Sequence, residues 1–267
     1  LIASKVSASI EDSTVTANGA FDNGTQTGGE ITVDAQSIHG AGAFSTVADI
    51  RSIAVALVAA AVAGGDAVVD IENTVEAFVS GSDLDSSGIT KIDADSEHHA
   101  RPDIFGLAGS TGISVASTTA TGKVAGATRA FIDGDSSVVS HGDLNVTADS
   151  DAYAVPTGES VAVGLVGGIG AAEFKAEVYR ETAAYVGTRA GVTPATEVTE
   201  VALGSKQLNL AADARLQATA DNFTGGFGLL AGGSISKSTA TINGQTLAYV
   251  GEGATVQAGG VSIQAYS

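Results

Sequence analysis

The chain has 267 residues, room for one or two ordinary domains or one elongated one, and 44% of them are hydrophobic, yet only 5% are aromatic and Met, Trp and Cys are absent. Twelve basic residues against 30 acidic ones leave a formal charge of −18, which argues against binding nucleic acid or an anionic membrane surface. Without Cys there is no disulfide and no thiolate metal site, and so much Val, Ile and Leu argues against disorder.

Leu1 opens directly into an alternating pattern with no basic leader, so the chain is expected to be a mature or excised piece of a longer protein. The first element is VSASIED (Val6–Asp12). After FDNGTQTGG (Phe21–Gly29) comes a second phrase, ITVDAQS, from Ile31. The apolar run IAVALVAAAVA (Ile53–Ala63) has 11 residues, too few to span a bilayer as a helix. Its Ala content would allow a helix, but later counterparts are too rich in Gly, and a strand is predicted.

VEAFVS (Val75–Ser80) repeats the first phrase, with Phe78 where Ser9 stood, and ITKIDADS from Ile89 repeats the second. Between them lies DLDSSG (Asp83–Gly88), and DGDSS (Asp133–Ser137) occupies the same joint one copy later. Asp83, Asp85, Asp133 and Asp135 are therefore calcium candidates, with Glu11, Asp12 and Glu252 in related positions. Stacked carboxylates would supply hard oxygen ligands. The closing Glu of an EF-hand and the GGxGxDxUx nonapeptide are both missing, so solvated acidic loops are the competing reading.

SEHHARPD (Ser96–Asp103) places His98 and His99 beside Glu97, Arg101 and Asp103. It is predicted to be a polar connecting loop. In a strand the two His would face opposite ways, and an acid–base site would lack a second constellation. The third element recurs as FGLAGSTGISVAS from Phe105 and VAVGLVGGIGAA from Val161. In the latter Val161, Val163, Leu165 and Ile169 share one phase of a period-two pattern. Phe174, Ala176 and Val178 continue it after a slip, which predicts a strand kinked or bulged at Gly and Ala. Its glycines lack the following helix that a nucleotide fingerprint requires.

The first phrase returns as TRAFID (Thr128–Asp133), TAAYVG from Thr182 and TLAYVG (Thr246–Gly251). The second returns as LNVTADS from Leu144, LNLAADA from Leu208 and VSIQAYS from Val261. An insertion, TPATEVTEV (Thr193–Val201), falls at the same joint as the first one, marking a surface loop. Pro102, Pro156 and Pro194 are expected between elements or inside that loop.

The aromatics Phe78, Phe131, Tyr185 and Tyr249 recur at intervals of 53, 54 and 64 residues. A strand unit of this kind cannot bury its apolar face alone, and stacked copies can. The prediction is an all-β protein, a β-solenoid or parallel β-helix of about five imperfect repeats of roughly 53–64 residues, forming one elongated domain over 1–267. Approximate units are 1–37, 38–96, 97–150, 151–214 and 215–267. An array of separate β-sandwiches would be marginal at this unit size. Each unit is expected to make two wide or three narrow coils, adding ~10–15 Å and giving a rod of ~50–70 Å. Ala184 and Val186 are expected to face inward and Tyr185 outward, its aromatic column stacked along the axis.

Units of the form TxAYVGxGAxVxAGGxVxIxAxS, seen most fully in TLAYVGEGATVQAGGVSIQAYS (Thr246–Ser267) and nearly so in TRAFIDGDSSVVSHGDLNVTADS (Thr128–Ser150), resemble the β-strand repeats of giant bacterial filamentous surface adhesins. These are the leukotoxin LktA-like and filamentous-haemagglutinin-like proteins. The resemblance implies a secreted stalk at the cell surface, supplies no catalytic residues, and leads to the expectation of a structural protein, not an enzyme, that needs no cofactor. Expected partners are a host or neighbouring cell surface, matrix polysaccharide, or other copies end to end. Nucleic acid and membrane insertion of this segment are not expected. The alternatives are a self-assembling extracellular filament subunit and a polysaccharide-binding or -degrading β-helix. The last requires one groove with clustered acid, Arg and aromatic residues, with His98, Arg101 and the Thr193–Val201 insertion as places to look.

Overall fold

A computed structural model describes residues 1–22, 25–37, 46–57, 59–192 and 198–267. The first pass of the chain holds β1 (Ile2–Glu11), β2 (Thr14–Ala17), β3 (Ala20–Asp22), β4 (Thr25–Thr27), β5 (Ile31–Ser37) and β6 (Thr46–Ala56). The second holds β7 (Ala60–Ser80), β8 (Asp83–Ser86) and β9 (Thr90–Ser110), and the third β10 (Ile113–Asp133), β11 (Ser137–Ser140), β12 (Leu144–Ala154) and β13 (Thr157–Gly164). The fourth comprises β14 (Gly167–Val186), β15 (Thr199–Ala202), β16 (Gln207–Ala218) and β17 (Asp221–Gly228), and the fifth β18 (Ala231–Val250), β19 (Ala254–Gln257) and β20 (Gly260–Tyr266). No helix occurs among the described residues.

Three parallel sheets result, each drawing on every pass: the first two take one strand from each, the third one or two. The first runs β1-β7-β10-β14-β18 and the second β2-β8-β11-β15-β19. In the third, β9 pairs with β5 and β6 on one side and with β12 and β13 on the other; β16, β17 and β20 follow. Among the described residues only β3 and β4 pair antiparallel. The arrangement is consistent with the expected parallel β-helix.

One expectation is corrected outright. A repeat makes one turn, not two or three, because Ile113 pairs with Ala60 on one side and Gly167 on the other, one full repeat away each time. Strands of 20 or 21 residues span up to ~65 Å, whereas five stacked turns rise only ~20–25 Å. The stack is broad and shallow. The unit boundaries at residues 96, 150 and 214 fall inside β9, β12 and β16, so neighbouring units share strands.

Alternation sorts the side chains. Beside the second sheet, Val75, Ile132 and Val186 of the first sheet meet Leu84, Val138 and Val201 of the second and Ile92, Val146 and Leu210 of the third. At the opposite end, where the third sheet turns into the first, the apolar interior is Ala61, Ala63, Ala108, Ala116 and Ala162, with Ser114 buried beside them. The walls approach so closely there that a Cβ on Gly168 would lie 2.4 Å from Phe227 O and 2.6 Å from Ala162 O. Interior thickness therefore falls from Leu to Ala along one turn, which accounts for the Ala- and Gly-rich third element.

That element is corrected too. It is a strand, a corner and a strand, with β13 ending at Gly164 and β14 starting at Gly167, and the kink is the corner itself. Its large residues turn outward: Val163 is 48% and Leu165 60% exposed, while Ala162 is buried. The phase shared by Val161, Val163, Leu165 and Ile169 marks the outer surface, since the converging walls leave room for small residues, Ala, Gly and Ser114, between them. Phe174, Ala176 and Val178 do face inward.

SEHHARPD is not a connecting loop but the middle of β9, because both neighbouring turns offer backbone partners along it. Pro102 accordingly lies inside a strand. It sits opposite the Val155–Pro156 break between β12 and β13, where the ladder is already interrupted. Pro156 lies between strands as expected, and Pro194 falls outside the described residues.

A polar layer crosses the interior between the apolar clusters. Asn73, Ser96, His98, Thr128, Ser150 and Arg180 are all buried. Asn73 Nδ2 donates to Ser37 Oγ at 2.8 Å and lies 2.9 Å from His98 Nε2.

Candidate functional site

The outer face of the third sheet carries an open groove of about 670 Å³. Two registered rows line it. Asp49, Asp103, Thr157 and Asp221 form one, and Arg51, Phe105, Glu159 and Phe223 the other. Strand alternation turns both rows outward, and the breaks after β12 and β16 fall directly before Thr157 and Asp221. Phe223 is 56% exposed. Arg51 Nε lies 3.4 Å from Asp49 Oδ1, and Asn222 Nδ2 is held by Ser238 Oγ at 2.7 Å. The groove thus offers flat aromatic faces beside carboxylate acceptors and a guanidinium donor.

A second feature shares this face, nearer the second sheet. Gln36, Asp95, Asp149 and Asp213 stand in one column, flanked by Asp34 and Asp93 on one side and Glu97, Asp151 and Arg215 on the other. Partial burial, then the charges of Asp213 and Asp95, raises the Asp149 carboxyl above its ordinary value. Asp95 and Asp151 shift the same way, burial again acting first. Lys91 Nζ relieves Asp93 at 2.6 Å. Sequence reasoning passed over this column, although the signal was present as the recurring Asp of ITKIDADS, LNVTADS and LNLAADA.

The calcium candidates are not brought together. Asp83 stands level with Thr14 and Ser137, and Asp85 with Thr16 and Val139, so neither has a carboxylate above or below it. Asp133 ends β10, and Asp135 Oδ1 accepts a 3.0 Å bond from Val198 N. Among the described residues no three Asp, Glu or His side chains gather as a metal site would require.

His98 and His99 point to opposite faces, as strand geometry predicts. His99 lies outside, edge-on to Tyr153 at 4.5 Å and 3.2 Å from Glu97 Oε1. Of the SEHHARPD group, Asp103 reaches the groove. In the Thr193–Val201 insertion, residues 193–197 lie outside the described set, and Thr199–Ala202 is β15.

On the outer face of the first sheet the four aromatics form the predicted column. Phe78, Phe131, Tyr185 and Tyr249 stack with centroids 4.9, 4.9 and 5.2 Å apart and planes within 4° of parallel. Ala184 and Val186 face inward. Tyr185 is nonetheless buried at 2% exposure, and Tyr249 Oη accepts a 2.7 Å bond from Ala190 N. This column is a packed wall, not an open stripe.

In comparisons with known proteins, no family model matches the chain, and neither a curated protein nor a solved structure matches it. What fold and surface define is an all-β protein of stacked parallel sheets with one acidic, aromatic-lined groove.

Proposed function

We propose that the chain is a β-solenoid segment of an extracellular bacterial adhesin or surface fibre, serving as a rigid stalk and adhesion surface. The observation that supports this reading is the unbroken in-register main-chain pairing of long strands through five turns. Shared backbone bonds make the copies one mechanical body. Hydrogen–deuterium exchange tests it: protection should extend across all three sheets in the inner turns. Protection confined to isolated units with fast-exchanging segments between them would contradict it.

The groove supports a second, compatible reading in which this surface binds polysaccharide. Carboxylates and Arg51 match sugar hydroxyls, and Phe105 and Phe223 match the apolar faces of sugar rings. Titration of the whole chain with neutral polysaccharides should show binding that falls at least about tenfold in Phe105→Ala and Phe223→Ala. Equal binding by the variants would remove the groove from consideration and leave the stalk reading untouched.

A further inference from the structure

At the corner where the third sheet passes into the first, the surface carries no charge. No Asp, Glu, Lys, Arg or His occurs between Arg51 and Asp66, Asp103 and Lys123, Glu159 and Glu173, or Asp221 and Lys237. The parallel register lays these four stretches one above another. Because small residues, Ala, Gly and Ser, fill the narrow interior, the large aliphatics stand outside: Leu57 is 84%, Leu165 60%, Leu229 80% and Leu230 79% exposed. Leu229 N donates to Leu165 O at 3.1 Å, so the two leucines ride on consecutive turns. Exposure at the open ends of the stack does not explain the pattern, since Ile113 and Ile169 on inner turns are 52% and 46% exposed. Between turns lies an apolar groove of about 370 Å³, lined by Ile113, Val166, Ile169 and Leu230 with intervening Gly and Ala.

We propose that this corner is a lateral pairing surface, on which a second copy of the chain docks edge to edge. Electrostatics selects the occupant. Two copies each carrying −18 repel at close range, and the corner is the stretch of every turn where approaching copies bring no like charges together. Area agrees: about a dozen half- to fully exposed apolar side chains present on the order of 1,000 Å², comparable with the ~800 Å² each partner gives a stable interface. Shape agrees as well, because the same surface carries both protruding leucines and an apolar groove, and so complements itself across a two-fold axis. A lipid bilayer is the poorer occupant. The flanking charges include Asp66, Asp103, Glu159, Glu173 and Asp221, and no Trp, Tyr or cluster of Lys and Arg borders the corner as interfacial anchoring requires. The pairing does not depend on the stalk reading.

Sedimentation velocity of the whole chain at up to about 100 µM, with the far-UV spectrum and urea midpoint of every variant, tests this. The expected result is a dimer that tightens as NaCl is raised. The double variant Leu165→Glu, Leu229→Glu should weaken it at least about 100-fold. Both side chains project from corner turns into solvent, so the urea midpoint should hardly move. Val139→Glu, on the second sheet, should dimerise like the parent chain. A monomeric parent chain, undiminished dimerisation of the double variant, or flotation of monomers with neutral phosphatidylcholine vesicles would each overturn the proposal.

Discussion

Arg180 on the fourth turn donates a 2.7 Å hydrogen bond from Nη2 to Ser96 Oγ on the second turn, across the interior. Its other N–H groups reach Ser150 Oγ (2.9 Å), Asn73 O (2.9 Å), Ala125 O (3.2 Å) and Thr128 Oγ1 (2.8 Å). All five donors are used, and no carboxylate pairs with Arg180 among the described residues. Burial, with the charge of Arg129 second, depresses its pKa to about 10. One side chain therefore ties three turns and two sheets through neutral acceptors. Arg180→Ala should cost about 3 kcal/mol or more, because it strands buried hydroxyls and carbonyls. Arg180→Lys should recover little, since an ammonium cannot span five acceptors. Urea midpoints check both, and a loss under 1 kcal/mol, which is about what one surface contact is worth, would contradict the account.

Gly126 stands in register with Asn73 and Arg180. Its φ is +119°, and a Cβ there would fall 1.9 Å from Asn73 O, the carbonyl that Arg180 uses. Gly126→Ala thus combines backbone strain with displacement of that acceptor, and should cost about 3 kcal/mol or more. Gly191 provides the contrast, with φ of +80° and open space around its missing Cβ. Gly191→Ala should cost only about 1 kcal/mol. Comparable losses in the two variants would show that strain alone governs both.

Period and alternation made much of this fold legible. The aromatic column and the inward facing of Ala184 and Val186 follow from a repeat of fixed length and two-residue alternation. Neither says how many strands complete a turn, and with strands usually near five or six residues, a unit of about 53 residues reads as two wide or three narrow coils. Nor does alternation say which face is inside when the walls converge. Val163 and Leu165 turn out because the gap admits only small residues such as Ala162, Gly168 and Ser114, and that gap is set by strands dozens of residues apart. The groove had a readable trace. Asp49 and Asp103, like Arg51 and Phe105, stand one repeat apart, but their conjunction on one surface needs the register of β6 with β9. Asp83 and Asp133 are not stacked on another carboxylate for the same reason, since register sets each beside Ser or Thr.

Phe131 is sandwiched between Phe78 and Tyr185, with interplanar angles of 3° and 1°. Phe131→Ala removes two stacking contacts and opens a void in a packed wall, for an expected loss of about 3–4 kcal/mol. Tyr249 stacks on Tyr185 alone and is partly exposed, so Tyr249→Ala should cost about half as much. Denaturation midpoints give the order, and an equal or reversed order would mean that the column contributes little cooperatively.

Arg129 bridges Glu76 at 2.9 Å and Glu181 at 2.9 Å, and Lys5 adds a second bond to Glu76 at 2.8 Å. Burial alone would raise Glu76, but the bonds from Lys5 and Arg129 outweigh it and hold the carboxyl below its ordinary 4.5. Glu181 is lowered in the same way by Arg129 and Arg189 against burial. These groups contribute stability that is present above the ordinary value and lost as pH falls through the lowered one. The aspartate column has the opposite sign. Asp95, Asp149 and Asp151 are raised above 3.8, so the folded chain takes up their protons first on acidification. Their contribution grows as pH falls through the raised values and is complete below 3.8. The melting temperature should therefore rise as pH drops from neutral toward the ordinary carboxylate range near pH 4, then fall once the Arg129 pairs protonate. Asp149→Asn relieves the column permanently. With solvent screening discounted, its melting temperature at pH 7 should exceed the parent's by about 1–3 °C, and the gain should vanish near pH 3. Thermal melts followed by circular dichroism across that range decide the matter. A lower melting temperature for Asp149→Asn at pH 7 would mean that the stacked carboxylates stabilise the wall instead of straining it.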